Sequence, residues 1–168
     1  MNVTRFLARW RVTLGFAFGV LALALATPSR RSLFIGIPIA LAGESLRVWA
    51  AGHLEKSREV TTSGPYRWTR HPLYLGSAVL GTGLAVASNR GAVMVLAAVY
   101  LTVALTAAAR SEERHLESKF GDAYARYRHG EPGGGSRRFS LSRARRNGEH
   151  RALLGLGLVL AYLLAIRA

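Results

Sequence analysis

Two polar stretches, separated by a long apolar run, hold the side chains with which this chain could do chemistry. The first is Gly64-Pro65-Tyr66-Arg67-Trp68-Thr69-Arg70-His71-Pro72-Leu73-Tyr74-Leu75-Gly76, and the second is Ser111-Glu112-Glu113-Arg114-His115-Leu116-Glu117. Between Tyr66 and Tyr74 lie two phenols, two guanidiniums and an imidazole. Each proline biases the residue before it away from helix, so Gly64 and His71 are expected to be extended or turned. Pro72 suits the first turn of a new helix. A helix start offers free N–H groups and partial positive charge, which favours an anionic ligand group. The second stretch carries three of the chain's nine acids. A cationic ligand amine would suit those carboxylates. Pairing with Arg110 and Arg114, or solvation at a membrane surface, would satisfy them equally, and an interfacial loop without chemistry would also carry Tyr, Trp and Arg.

Composition removes several other chemistries. The chain has no cysteine, which excludes disulfides, thiolate metal sites, a cysteine nucleophile and a C-terminal prenylation signal. The five histidines show no ligand spacing on one face, and there is no defensible Ser/His/Asp arrangement or phosphate-cradling glycine motif. With 168 residues the chain suits one domain. Its net charge of +14 fits nucleic acid, an anionic membrane surface or topology control.

The elements that must position these side chains are apolar. Mean hydropathy is only +0.17, but the apolar residues fall into five blocks: Val12–Ala26, Leu33–Ala51, Leu73–Ser88, Gly91–Ala109 and Ala152–Ile166. A crossing helix needs about 20 residues, so the second and fourth blocks suffice alone and the others borrow flanking residues. The expectation is an all-α integral membrane protein with about five transmembrane helices. With the N-terminus inside, eighteen of the 23 basic residues fall on inner segments and four on outer ones. This bias places both polar stretches on the cytoplasmic side and accounts for much of the charge without nucleic acid. The first block also has the form of a secretory signal peptide, whose removal would leave the other orientations unchanged.

Block two contains Glu44 and Arg47 on one helical face, either as an internal salt bridge or bracing a cavity. Blocks three and four form a hairpin through Asn89-Arg90-Gly91, which brings the two polar stretches together. From Glu112 to Arg128, Leu116, Phe120, Ala123, Tyr124 and Tyr127 share a helical stripe, with Gly121 as its weak point. An amphipathic cytoplasmic helix is therefore expected to pack over the first stretch. Gly130–Ser136 reads as a linker, and the basic segment to Arg151 as lying along anionic headgroups.

The order Gly64-Pro65-Tyr66, Arg70-His71-Pro72-Leu73-Tyr74-Leu75-Gly76, one hydrophobic hairpin, then Glu112-Glu113, Phe120-Gly121, Tyr124 and Tyr127 resembles the isoprenylcysteine carboxyl methyltransferase family and the related membrane phospholipid N-methyltransferases. The resemblance spans about residues 46–128. It implies a single membrane methyltransferase-like domain over 1–168, with a tail over 129–151 and a last hydrophobic helix over 152–166. It also implies S-adenosyl-L-methionine held in a cytoplasmic pocket without a Rossmann domain. By position, the family's cofactor contacts fall on Arg58, Glu59, Val60, Thr61, Tyr66, His71, Pro72, Leu73, Tyr74 and Glu112. On this reading His71 and helix-start N–H groups suit the cofactor's carboxylate, and Glu112 its ammonium or sulfonium. Where the family has a substrate-contacting arginine, this chain has Ala108, and Arg110 is a displaced substitute.

Methyl transfer to a lipophilic acceptor from the bilayer needs alignment more than a protein nucleophile. A carboxyl or other oxygen acceptor is favoured on sequence grounds because no base for an amine is evident. Alternatives are a phospholipid N-methyltransferase, an NADPH-dependent enzyme resembling the sterol reductases, and a non-catalytic membrane protein whose basic tail binds anionic lipid.

Overall fold

A computed structural model describes residues 15–56, 58–131 and 137–167, and among them it is helical with no strand. In chain order the helices are α1 (Gly15–Leu25), α2 (Arg30–Ala51), a 3₁₀ turn (Gly64–Arg67), α3 (Pro72–Ala87), α4 (Gly91–Arg128), α5 (Leu141–Arg146) and α6 (Glu149–Ala165). Of these, α2 and α4 are long and apolar enough to cross a membrane, whereas α1 and α3 are apolar but shorter. Large apolar side chains such as Phe34, Phe16, Leu154 and Val95 stand on the outside. A protein in water would bury such a belt, so lipid is the solvent these helices fit. The basic N-terminal flank, the first residues of block one and residues 132–136 of the linker lie outside the described residues.

The centre of the fold is α2 against α3, and small residues set their distance. Gly36 and Gly43 on α2 face Gly83 and Gly76 on α3. A Cβ added to Gly36 would come within 2.5 Å of the Gly83 carbonyl, and one on Gly43 would strike the backbone of Leu80. Both pairs are seven residues apart, which keeps them on one seam. Between helices in lipid, such close backbone approach supplies the packing that water would otherwise drive.

One end of the bundle is closed by its own backbone. Ser29 caps α2 in a reciprocal capping box with Ser32, whose hydroxyl also donates 3.1 Å to the Ala87 carbonyl. The Thr27 N–H donates to Ser88 at 2.9 Å, and Asn89 Nδ2 donates to Thr27 at 3.1 Å.

The opposite end carries the polar stretches. α4 runs from the apolar region to Arg128, broken only at Gly121, whose φ of +45° suits glycine. Past that break, Tyr124 is buried and the Tyr127 hydroxyl donates 2.8 Å to the Tyr66 carbonyl. The far part of α4 thus folds over the first stretch, though Ala123 of the expected stripe is exposed.

The basic tail departs from its sequence reading. It contains α5, and α6 starts at Glu149 rather than at Ala152. The reason is local: Gly148 takes a left-handed conformation (φ +93°) and Glu149 opens the next helix, where an acid suits the dipole. The tail docks on the end of α2. Phe139 lies on Gly52, and Asn147 Nδ2 donates to the carbonyls of Ala51 at 2.8 Å and Leu54 at 2.9 Å. Arg143 Nε reaches Glu55 at 2.8 Å, and Arg137 bonds both Glu55 and Glu59. Arg138, Arg145, Arg146 and Arg151 remain exposed.

Candidate functional site

A cavity of about 470 Å³ opens at this end, and both polar stretches wall it. Its size falls in the range of small-molecule sites, roughly 300–1,000 Å³. Glu59, Val60, Thr61, Tyr66, Leu73, Tyr74 and Glu112 line it, as do Lys56, Arg70, Ser111 and Tyr127. The hairpin of α3 and α4 produces this meeting, because Pro72 fixes the start of α3 and α4 returns to the same end.

Not every residue singled out from the sequence faces the cavity. Arg58 is exposed and uses its N–H on the Glu55 carbonyl. Pro72 is buried beneath the lining. Arg110 is exposed, and Ala108 stands in the wall instead.

His71 sits behind the lining. Its Nε2–H donates to Glu113 Oε1 at 3.1 Å, and its Nδ1 is buried without a hydrogen bond, 3.8 Å from Glu112. Arg70 also reaches Glu113, at 3.0 Å. The two adjacent acids therefore split. Successive helical residues point about 100° apart, so Glu113 turns to His71 and Arg70 while Glu112 turns to the cavity. The hydrogen bond from His71, then the charge of Arg70, holds the Glu113 carboxyl below its usual range.

Tyr66 is pushed far upward by burial and then by the Glu112 carboxylate, and Tyr127 is raised to about 12, chiefly by burial. Both stay neutral phenols able to donate hydrogen bonds.

The deep wall holds Arg47, one of the pair read from the sequence as a salt bridge or a cavity brace, together with Ser77, Asn147 and Glu149, which the sequence reading did not assign to a site. Arg47 is bracketed by two carboxylates, with Nε 3.2 Å from Glu44 and Nη2 3.1 Å from both oxygens of Glu149, while Nη1 donates to Ser77. Glu44 and Glu149 are 2% and 6% exposed. Gly76 lets this side chain pass, since a Cβ there would lie 2.7 Å from Arg47 Cγ. Arg47, Ser77, Asn147 and Glu149 all line the cavity. One signal in the sequence pointed to Glu149: it is the lone acid between Arg137 and Arg151, placed just before an apolar block. Among the described residues no group of three His, Cys, Asp or Glu side chains could hold a metal ion.

Comparisons with known proteins bear on this geometry. The profile of the phospholipid methyltransferase family matches residues 14–123. The cobalt-zinc-cadmium resistance protein CzcN of Cupriavidus metallidurans is 33% identical over 88 residues, 51% of this chain and 39% of that protein. The nickel-cobalt-cadmium resistance protein NccN of Alcaligenes xylosoxydans xylosoxydans is 33% identical over 96 residues, 55% of this chain and 44% of that protein. The protein-S-isoprenylcysteine O-methyltransferase of Schizosaccharomyces pombe is 30% identical over 93 residues, 55% of this chain and 39% of that enzyme. In each case the matched part is less than half of the relative's length. No solved structure matches.

Proposed function

Because the chain belongs to the phospholipid methyltransferase family, we propose that it is an integral membrane methyltransferase that uses S-adenosyl-L-methionine on a lipophilic acceptor. The observation that carries this reading is the shared cavity, in which Tyr66, Leu73 and Tyr74 from one stretch face Ser111 and Glu112 from the other. The similarity to an isoprenylcysteine O-methyltransferase supports it.

The donor set fits this zwitterionic cofactor. Glu112 offers a carboxylate to its ammonium or sulfonium, and Lys56 and Arg70 offer cations to its carboxylate. Thr61 and the Tyr66 phenol supply hydroxyls, and Tyr74 an aromatic face. His71, partnered by Glu113, acts from behind by fixing Glu113 and thereby the rotation of α4 that aims Glu112. The cofactor, when bound, supplies an electrophilic methyl group. The chain's own part is to exclude water, to orient the two reactants and to stabilise charge.

In this reading α1, α2, α3, α4 and α6 all cross the bilayer, the short ones in a thinned membrane. The cavity faces the cytoplasm, as the distribution of basic residues favours. Exposed Arg138, Arg145, Arg146 and Arg151, with Leu141 beside them, meet anionic headgroups while Arg137 and Arg143 hold the tail to Glu59 and Glu55 in the loop after α2.

The test is methyl transfer by purified protein from methyl-labelled S-adenosyl-L-methionine to a total lipid extract, with thermal shifts for that cofactor and for NADPH. Label in the lipid phase, lost in Glu112→Gln, and a shift with S-adenosyl-L-methionine alone are expected. No transfer, or a shift with NADPH alone, would reject the reading.

A further inference from the structure

The mouth of the cavity holds acids that a ligand carboxylate does not call for. Glu55, Lys56 and Glu59 all line it, on the loop between α2 and the 3₁₀ turn. Lys56 is the cation this loop offers to such a carboxylate, yet it stands in sequence between two others. The loop folds back on itself here, with the Arg58 N–H donating to the Glu55 carbonyl at 3.2 Å. An ammonium already paired with a glutamate of its own loop is a poor receptor for a second carboxylate.

The tail withdraws those glutamates. Arg137 bridges them, with Nη1 3.3 Å from Glu55 Oε1 and Nη2 2.6 Å from Glu59 Oε1. Arg143 and Arg146 also reach Glu55, at 2.8 Å and 3.7 Å, whereas among the described residues the ion pair of Glu59 is with Arg137 alone. Arg137 does not line the cavity, and it precedes α5. Nor is it needed to dock the tail. The Ser140 N–H donates to the Gly52 carbonyl at 3.1 Å, Arg143 Nη1 donates to the same carbonyl, and Asn147 makes its two bonds to the end of α2. The hydrogen bonds of Arg137 go to the two acids of the mouth.

Resting on the methyltransferase reading above, we propose that Arg137 is a positioning residue of the cavity: by engaging Glu55 and Glu59 it leaves the Lys56 ammonium to the carboxylate of S-adenosyl-L-methionine. Without Arg137, Glu59 takes Lys56 for its partner and the cofactor loses it. A segment beyond residue 123, where the family profile ends, thereby sets cofactor affinity without touching the cofactor.

The test uses the full chain in maltoside micelles and calorimetric titration of two probes. One is S-adenosyl-L-methionine and the other is its decarboxylated analogue, which keeps the sulfonium and lacks the carboxylate. Wild type is expected to prefer the intact cofactor. Arg137→Gln should weaken binding of the intact cofactor about fivefold, the scale of a partly exposed charged pair, and leave binding of the analogue unchanged. Arg137→Gln combined with Glu59→Gln should return the intact cofactor to within about twofold of wild type, because the competing acid is gone. A purely structural Arg137 would weaken both probes alike, and removing a second charged side chain would not rescue it. Either of those results overturns the proposal, as does wild-type affinity for the intact cofactor in Arg137→Gln. Should Arg137→Gln fail to fold, Arg137→Lys decides. One ammonium lacks the fork that bridges two carboxylates, so the preference for the intact cofactor should fall, and an unchanged preference rejects the proposal. Wild type that binds neither probe removes the methyltransferase reading and this proposal with it. Normal wild-type binding, with the same preference in every variant, removes only the role of Arg137.

Discussion

The two ends of this helix bundle are built by different means. At one end, Thr27, Ser32, Ser88 and Asn89 join two tight connections through backbone and short side-chain hydrogen bonds, and no acid is present. At the other, acids and bases hold a long loop, the far part of α4 and the tail together, with Glu55, Glu59, Glu113 and Glu149 each carrying an ion pair. The closed end spends its polar groups on itself. The open end leaves Glu112 turned to a cavity, with His71 Nδ1 3.8 Å away. A charge not consumed by structure is what distinguishes a site from a brace.

The largest expected effect on this contrast comes from Arg47→Met, which leaves Glu44 and Glu149 buried face to face. Removing one member of a buried pair costs about 3–5 kcal/mol, so thermal unfolding in micelles should fall steeply. An unchanged midpoint would mean that the open end does not depend on its ion pairs. Next is Gly43→Ala, whose Cβ would strike the α3 backbone. Overpacking of this kind costs about 1–3 kcal/mol and should weaken both ends alike. Gly155→Ala, with open space around it, is the matched control and should be neutral. A smaller change is expected for Tyr127→Phe, which removes the 2.8 Å bond to Tyr66. About 1 kcal/mol of stability should go, with proteolytic nicking rising past Gly121 and not between α1 and α2.

Acid sharpens the comparison with the least effect. Hydrogen bonding to His71 lowers Glu113, and hydrogen bonding to Arg143 lowers Glu55, from a reference of 4.5. A carboxyl with a depressed folded value stabilises above its unfolded value and loses that contribution as pH falls through the folded one. Stability should thus hold above about pH 4.5 and decline below it. Both groups are partly exposed and screened by solvent, so the change is small. Glu113→Gln with Glu55→Gln should flatten the decline of melting temperature with acid. An equally steep decline in the double variant would place the acid sensitivity elsewhere.

Much of this architecture was legible in the sequence because it is local. Apolar runs marked the helices, Pro72 the start of α3, and Gly121 the break in α4, since each acts on its own backbone. The meeting of the two stretches followed from the hairpin between them. The division of labour between Glu112 and Glu113 was not legible, because it depends on how α4 is rotated against His71. The docking of the tail escaped for a related reason: an arginine-rich segment reads as solvated until Glu55 is known to lie opposite Arg137 and Arg143. Glu149 was the hardest of all, since its partner lies more than a hundred residues away.

The most direct test of the account is calorimetric titration of S-adenosyl-L-methionine into the intact protein and into Glu112→Gln. Saturable binding by the wild type, weakened roughly tenfold or more in the variant as a lost charged hydrogen bond requires, is the predicted result. No heat of binding at millimolar cofactor, or equal affinity in Glu112→Gln, would contradict it.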